Sequence, residues 1–87
     1  MTLYWLSFCD PEKPQGSAFL GVSIVAAATF EDAIGVAWNE GVNPGGEVAG
    51  IDLPDDMAAR VPDEYKTRLL TREQCAALDA ILDGTTH

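Results

Sequence analysis

Basic residues are scarce in this chain of 87 residues: five Lys and Arg stand against fourteen Asp and Glu, for a net charge of −9. A field of that sign repels nucleic-acid backbones and anionic membrane surfaces and attracts basic partners. Direct binding to nucleic acid or to a membrane is therefore not expected. The same acidity also keeps a small protein soluble.

Cysteine and histidine are nearly missing. Cys9 and Cys75 are too few for a disulfide framework or a metal quartet. They are read as two reduced thiols packed as small apolar groups, joined only if the last helix lies across the end of the first strand. The one histidine is His87, at the end of the sequence, where a site that needs fixed geometry could hardly use it. The neighbouring acids Asp63 and Glu64 are consecutive and point in different directions on a helix. No catalytic constellation, metal site or cofactor is expected, and the chain is read as a non-enzyme.

Long apolar runs are lacking too. The longest, Ala18 to Phe30, has 13 residues including a Gly, too short to span a bilayer. Met1-Thr2-Leu3-Tyr4-Trp5 has no basic stretch ahead of an apolar block, so no secretory signal is read and a cytoplasmic protein is expected. Apolar residues nevertheless make up 47% of the chain, an ordinary globular balance. The length suits one domain, placed at 1–84 with a frayed tail at 85–87. A domain of this size has a thin stability margin, so self-association into a homodimer is weighed from the start.

Thr2 to Cys9 reads as a strand, with Leu3, Trp5, Ser7 and Cys9 on one face and Tyr4, Leu6 and Phe8 on the other. Neither face is polar, which places the strand centrally with cover on both sides. The Pro- and Gly-bearing segment Asp10–Ser17 is a loop. It leads to a second strand over Phe19–Ala26, antiparallel to the first. Thr29 is the N-cap of a helix with Glu31 and Asp32 in its first turn, an apolar stripe of Phe30, Ala33, Ile34, Ala37 and Trp38, and Gly41 as its stop. Gly35 inside this helix costs about 1 kcal/mol against Ala, which suggests close approach to another backbone. Asn43-Pro44-Gly45-Gly46 is a turn, Glu47–Leu53 a third strand, and Pro54–Arg60 and Pro62–Leu69 short helical turns. Thr71 and Gln74 form a capping box that opens a last helix ending at Gly84.

The order strand, strand, helix, strand, helix predicts an α+β fold, a split β-α-β unit with a three-stranded sheet in the order 2-1-3. One helix covers one sheet face. The other is left to Pro54–Gly84, to a second chain, or to both.

Two constellations remain for function. Arg60, Lys66, Arg68 and Arg72 are the one basic concentration, with Tyr65 beside them. They could hold a phosphate or carboxylate ligand, a nucleotide included, at a dimer boundary, or they could pair with the chain's own acids. The glycines at 41–46 follow a helix and lead into a strand, the wrong polarity for a phosphate cradle. Asp52, Asp55 and Asp56 lack the spacing of a calcium loop.

The second constellation is the aromatic set Tyr4, Trp5, Phe8 and Trp38, any exposed member of which would mark a contact surface. Charge favours this reading. Through Met57 there are nine acids and one base, a net of −8, while from Ala58 onward five acids meet four bases, a net of −1. The leading expectation is thus a small acidic binding protein, an adaptor or inhibitor docking on a basic partner, of a kind common among small bacterial and bacteriophage proteins. One version is mimicry of nucleic acid, with carboxylates in place of phosphates. A small-ligand module built on Arg60–Arg72 is the alternative.

Overall fold

The computed structural model describes residues 1–14 and 18–82. The expected end of the last helix at Gly84 and the tail at 85–87 lie outside the described residues. The chain is α+β. Strands β1 (Thr2–Cys9), β2 (Phe19–Ala27) and β3 (Glu47–Asp52) are joined by helix α1 (Phe30–Asn39) between β2 and β3. A short helix α2 (Asp55–Ala58) and a 3₁₀ turn (Asp63–Tyr65) then lead into strand β4 (Leu69–Leu70) and helix α3 (Arg72–Leu82).

The sheet has four strands in the order β3-β1-β2-β4, every neighbouring pair antiparallel. The expectation of three strands is one short. The 2-1-3 core is present, but β2 lies inside the sheet, because Leu69 and Leu70 pair with Ser23 and Val22 along its outer edge. The Thr67 N–H extends that cover by donating to the Ile24 carbonyl at 2.8 Å. Two residues are too few for strand alternation to show in a sequence, and this pair follows a segment with the character of helical turns.

Local signals hold where they have a stereochemical mechanism. The Thr29 hydroxyl accepts from the Asp32 N–H at 3.1 Å, satisfying a donor that the first turn of a helix leaves free. At the other end of α1, Gly41 has φ +73°. Val42 N–H reaches the Ala37 carbonyl at 2.9 Å and Gly41 N–H that of Trp38 at 3.2 Å, the paired bonds of a Schellman end. Thr71 and Gln74 exchange bonds of 2.9 and 3.2 Å as a capping box. In the turn before β3, Gly45 has φ +89° and its N–H donates to the Asn43 side chain at 2.8 Å.

Each sheet face carries its own core. Leu6, Phe8, Val25 and Ala27 meet Ala33 and Ala37 of α1 on one face, joined by Val42. Ser23 is the buried polar residue there, and its hydroxyl donates to the Val42 carbonyl, which fixes the exit of α1 against β2. On the opposite face Val22 and Ile24 of β2 and Leu70 of β4 pack with Leu53, Val61, Leu78 and Leu82. The segment after β3 thus supplies the second cover, as the doubly apolar β1 requires.

The expectation for Gly35 is overturned. Among the described residues a Cβ built there meets nothing within 4 Å, so no described backbone accounts for that glycine.

Candidate functional site

The second cover is incomplete. Cross-strand partners in an antiparallel pair share a face, so Trp5 with Ile51, Ser7 with Ala49 and Cys9 with Glu47 stand on the α3 side of the sheet. Helix α3 packs against β2 and β4, and the β1/β3 half is left open. Ile51 is 61% exposed, Ala49 is exposed, and Trp5 and Ser7 are half-buried. Trp5, Ser7, Ala49, Gly50 and Ile51 line a shallow apolar depression of about 260 Å³.

The floor of this strip is closely packed for a local reason. Gly50 lies opposite Leu6, and a Cβ on it would come within 2.5 Å of the Phe30 ring and 2.9 Å of a Leu6 methyl. The first residue of α1 therefore packs directly on the β3 backbone from behind. Phe30 also meets Tyr4, their ring centroids 6.5 Å apart.

The four aromatics named from the sequence thus separate. Phe8 is 1% exposed and belongs to the core, which removes it from any contact surface in the folded chain. Tyr4 is half-buried on the α1 face. Trp5 lines the open strip. Trp38 is 60% exposed on α1, although helical spacing places it with the buried stripe. Ile51 is the residue that sequence reasoning missed: an apolar residue on a strand face shared with Trp5 reads as core until the cover over that face is seen to stop short.

The basic set does not converge. Arg60 donates to the Leu82 carbonyl at 3.0 Å, where a cation suits the negative end of α3. Lys66 and Asp63 form an ion pair at 3.1 Å. The Arg72 guanidinium lies 5.2 Å from the centre of the Phe19 ring, close enough for a cation–π contact. Tyr65 packs against the core under α3, and Arg68 is exposed.

Both cysteines are free thiols. Burial, and after it the negative charge of Asp79, push the Cys75 thiol above its ordinary value, so it stays protonated and weakly nucleophilic. Among the described residues no three His, Cys, Asp or Glu side chains come together as metal ligands, and no helix is long and apolar enough to cross a membrane. A second depression, of about 410 Å³, lies beside α1 and is lined in part by Gly35, Glu31, Asp32 and Met1.

The bases sort with the cover but the acids do not, since residues 54–82 also carry Asp55, Asp56, Asp63, Glu64, Glu73 and Asp79. Four of the five bases, Arg60, Lys66, Arg68 and Arg72, belong to the segment packed on the β2/β4 half. Strand β1 carries no charge, and β3 carries Glu47 and Asp52, both exposed. Comparison of the chain with protein-family models, curated proteins and solved structures finds no significant match.

Proposed function

We propose that this chain is a small acidic binding protein that docks the open β1/β3 half of its sheet on a basic partner. The observation that carries this reading is the apolar strip of Trp5, Ala49 and Ile51, left uncovered in a chain of net charge −9. An apolar patch with a polar rim is the usual form of a contact surface, and exposed Glu47 stands on the same face as this one. The acids speed and orient the encounter, and desolvation of the apolar strip slows release.

A second copy is disfavoured as the occupant, because two chains of −9 repel. A small ligand at Arg60–Arg72 has less support, since Arg60, Lys66 and Arg72 each engage groups within the chain.

The test compares Ile51→Asn with Trp38→Ala as bait in a capture experiment at low salt and at 0.5 M salt. The proposal expects a basic protein that the wild type and Trp38→Ala both retain, that Ile51→Asn loses, and that high salt weakens. Capture unchanged by Ile51→Asn would count against it.

A further inference from the structure

Strand β3 is the open border of the sheet as well as the border of the apolar strip, and its backbone polarity can be worked out. Leu53 N–H donates to the Leu3 carbonyl at 2.8 Å. In an antiparallel ladder, bonded and non-bonded pairs alternate, so Ile51, Ala49 and Glu47 turn their N–H and C=O groups toward β1. Val48, Gly50 and Asp52 turn theirs outward, where no described strand pairs with them.

The usual safeguards of an edge strand are charged side chains, Lys above all, Pro or a bulge. Strand β3, of sequence Glu-Val-Ala-Gly-Ile-Asp, has no Pro, Lys or bulge, and its two charges, Glu47 and Asp52, stand at its ends and leave Val48–Ile51 bare. The other side of the sheet is treated differently: residues 66–70 close the edge of β2 through β4, the Thr67 bond and a bridge from Lys66 to Ile24.

We infer that the partner surface is an extended basic segment that adds to the outer edge of β3 as a fifth, antiparallel strand. This rests on the proposed docking of the open half and specifies how it occurs. Strand addition of this kind takes affinity from main-chain bonds and specificity from alternate side chains. Residues of the incoming strand that bond to Val48, Gly50 and Asp52 share their face, the α1 side, where the Asp52 carboxylate is exposed. Basic side chains fit there. The intervening residues fall beside Ala49 and Ile51 and extend the apolar strip, so apolar side chains fit those positions. The segment is therefore one of alternating basic and apolar residues. A second copy of β3 does not have this pattern, because its charged residues are Glu47 and Asp52.

The probe is a blocked peptide of alternating Lys and Val, six residues long, titrated into ¹⁵N-labelled protein at low salt. Its controls are the Glu-Val counterpart and a Lys-Val peptide N-methylated at every Lys. The expected result is saturable shifts at the Val48, Gly50 and Asp52 amides and slowed exchange of those amides with solvent. Neither control peptide should bind.

Asp52→Pro removes an outward N–H without touching the ladder to β1 and should weaken binding at least tenfold. Asp52→Asn, which keeps the N–H and loses the charge, should weaken it only a few-fold. Should Asp52→Pro fail to fold, the N-methylated peptide carries the same test.

Equal binding of the methylated peptide, or of the Glu-Val peptide, overturns the inference. So does a sedimenting dimer that Asp52→Pro dissolves, which would make a second copy the occupant. If Ile51→Asn abolishes capture of the natural partner while Asp52→Pro leaves it intact, docking on the open half stands and strand addition falls. If neither variant alters capture, both fall.

Discussion

The two halves of the α3-side sheet face differ in cover, in edge and in the bases that lie beside them. The β2/β4 half is sealed by Val61, Leu70, Leu78 and Leu82, lies under the segment that holds four of the five bases, and has its border closed by residues 66–70. The β1/β3 half presents Ala49 and Ile51 to solvent beside the half-buried Trp5 and exposed Glu47, and no described strand pairs with the outer edge of its border strand β3. The same β1 side chains that demand cover therefore receive it on one flank only. Folding this chain leaves apolar surface and backbone bonding capacity together at one border, and that coincidence is the basis of the functional reading.

The largest effect expected of the comparison is in stability. Leu78→Ala, at a residue with no exposure, should cost about 3 kcal/mol in urea unfolding, whereas Ile51→Ala should cost under about 1 kcal/mol, as a surface position does. Similar losses at the two sites would mean that the halves are equally covered.

Gly50→Ala tests the floor of the strip. A methyl there must displace Phe30 or Leu6, so a loss of about 1–3 kcal/mol is expected, readable as a lower melting temperature. A neutral outcome would place α1 further from β3 than described.

Two smaller changes should stabilise the chain. Thr67 turns into the closed border with φ +56°, an unfavourable region for a β-branched residue. Thr67→Gly should relieve about 1 kcal/mol. Gly35→Ala has open space to enter and should add up to about 1 kcal/mol through helix propensity. Chemical denaturation reads both, and destabilisation by either substitution would contradict the local geometry.

The smallest effect concerns the thiol under the covered half. Because the Cys75 value is raised, the folded protein carries less thiolate at that site than the unfolded chain at mildly alkaline pH. Alkylation of Cys75 at pH 8 should therefore be slower in the native protein than in denaturant. By the same sign, the folded state holds this proton more tightly, so its contribution to stability is present below the unfolded value and fades as pH rises past it. Equal alkylation rates would put Cys75 outside the core.

Much of this fold was legible in the sequence because it rests on short-range stereochemistry. Thr29, Gly41, Asn43 with Gly45, and Thr71 with Gln74 each fix a boundary through bonds within a few residues. The two-faced apolar pattern of Thr2–Cys9 forces that strand to the interior. What escaped depends on distant geometry. Leu69–Leu70 becomes a strand only because β2 offers it an edge. Trp38 fits a helical stripe yet faces solvent, since α1 rests on the sheet through Ala33 and Ala37. Ile51 alternates correctly for a covered strand, and only the reach of α3 decides that it is bare. The basic residues Arg60, Lys66 and Arg72 look like a cluster along the chain, yet each engages a different group: the Leu82 carbonyl, Asp63 and the Phe19 ring.

The most direct test of the open half is solvent paramagnetic relaxation on methyl-labelled protein with a neutral nitroxide probe. The account predicts that the Ile51 and Ala49 methyls broaden strongly while those of Leu70 and Leu78 stay sharp. Ile51 signals as protected as those of Leu78 in the isolated protein would show that the strip is already covered, and would contradict it.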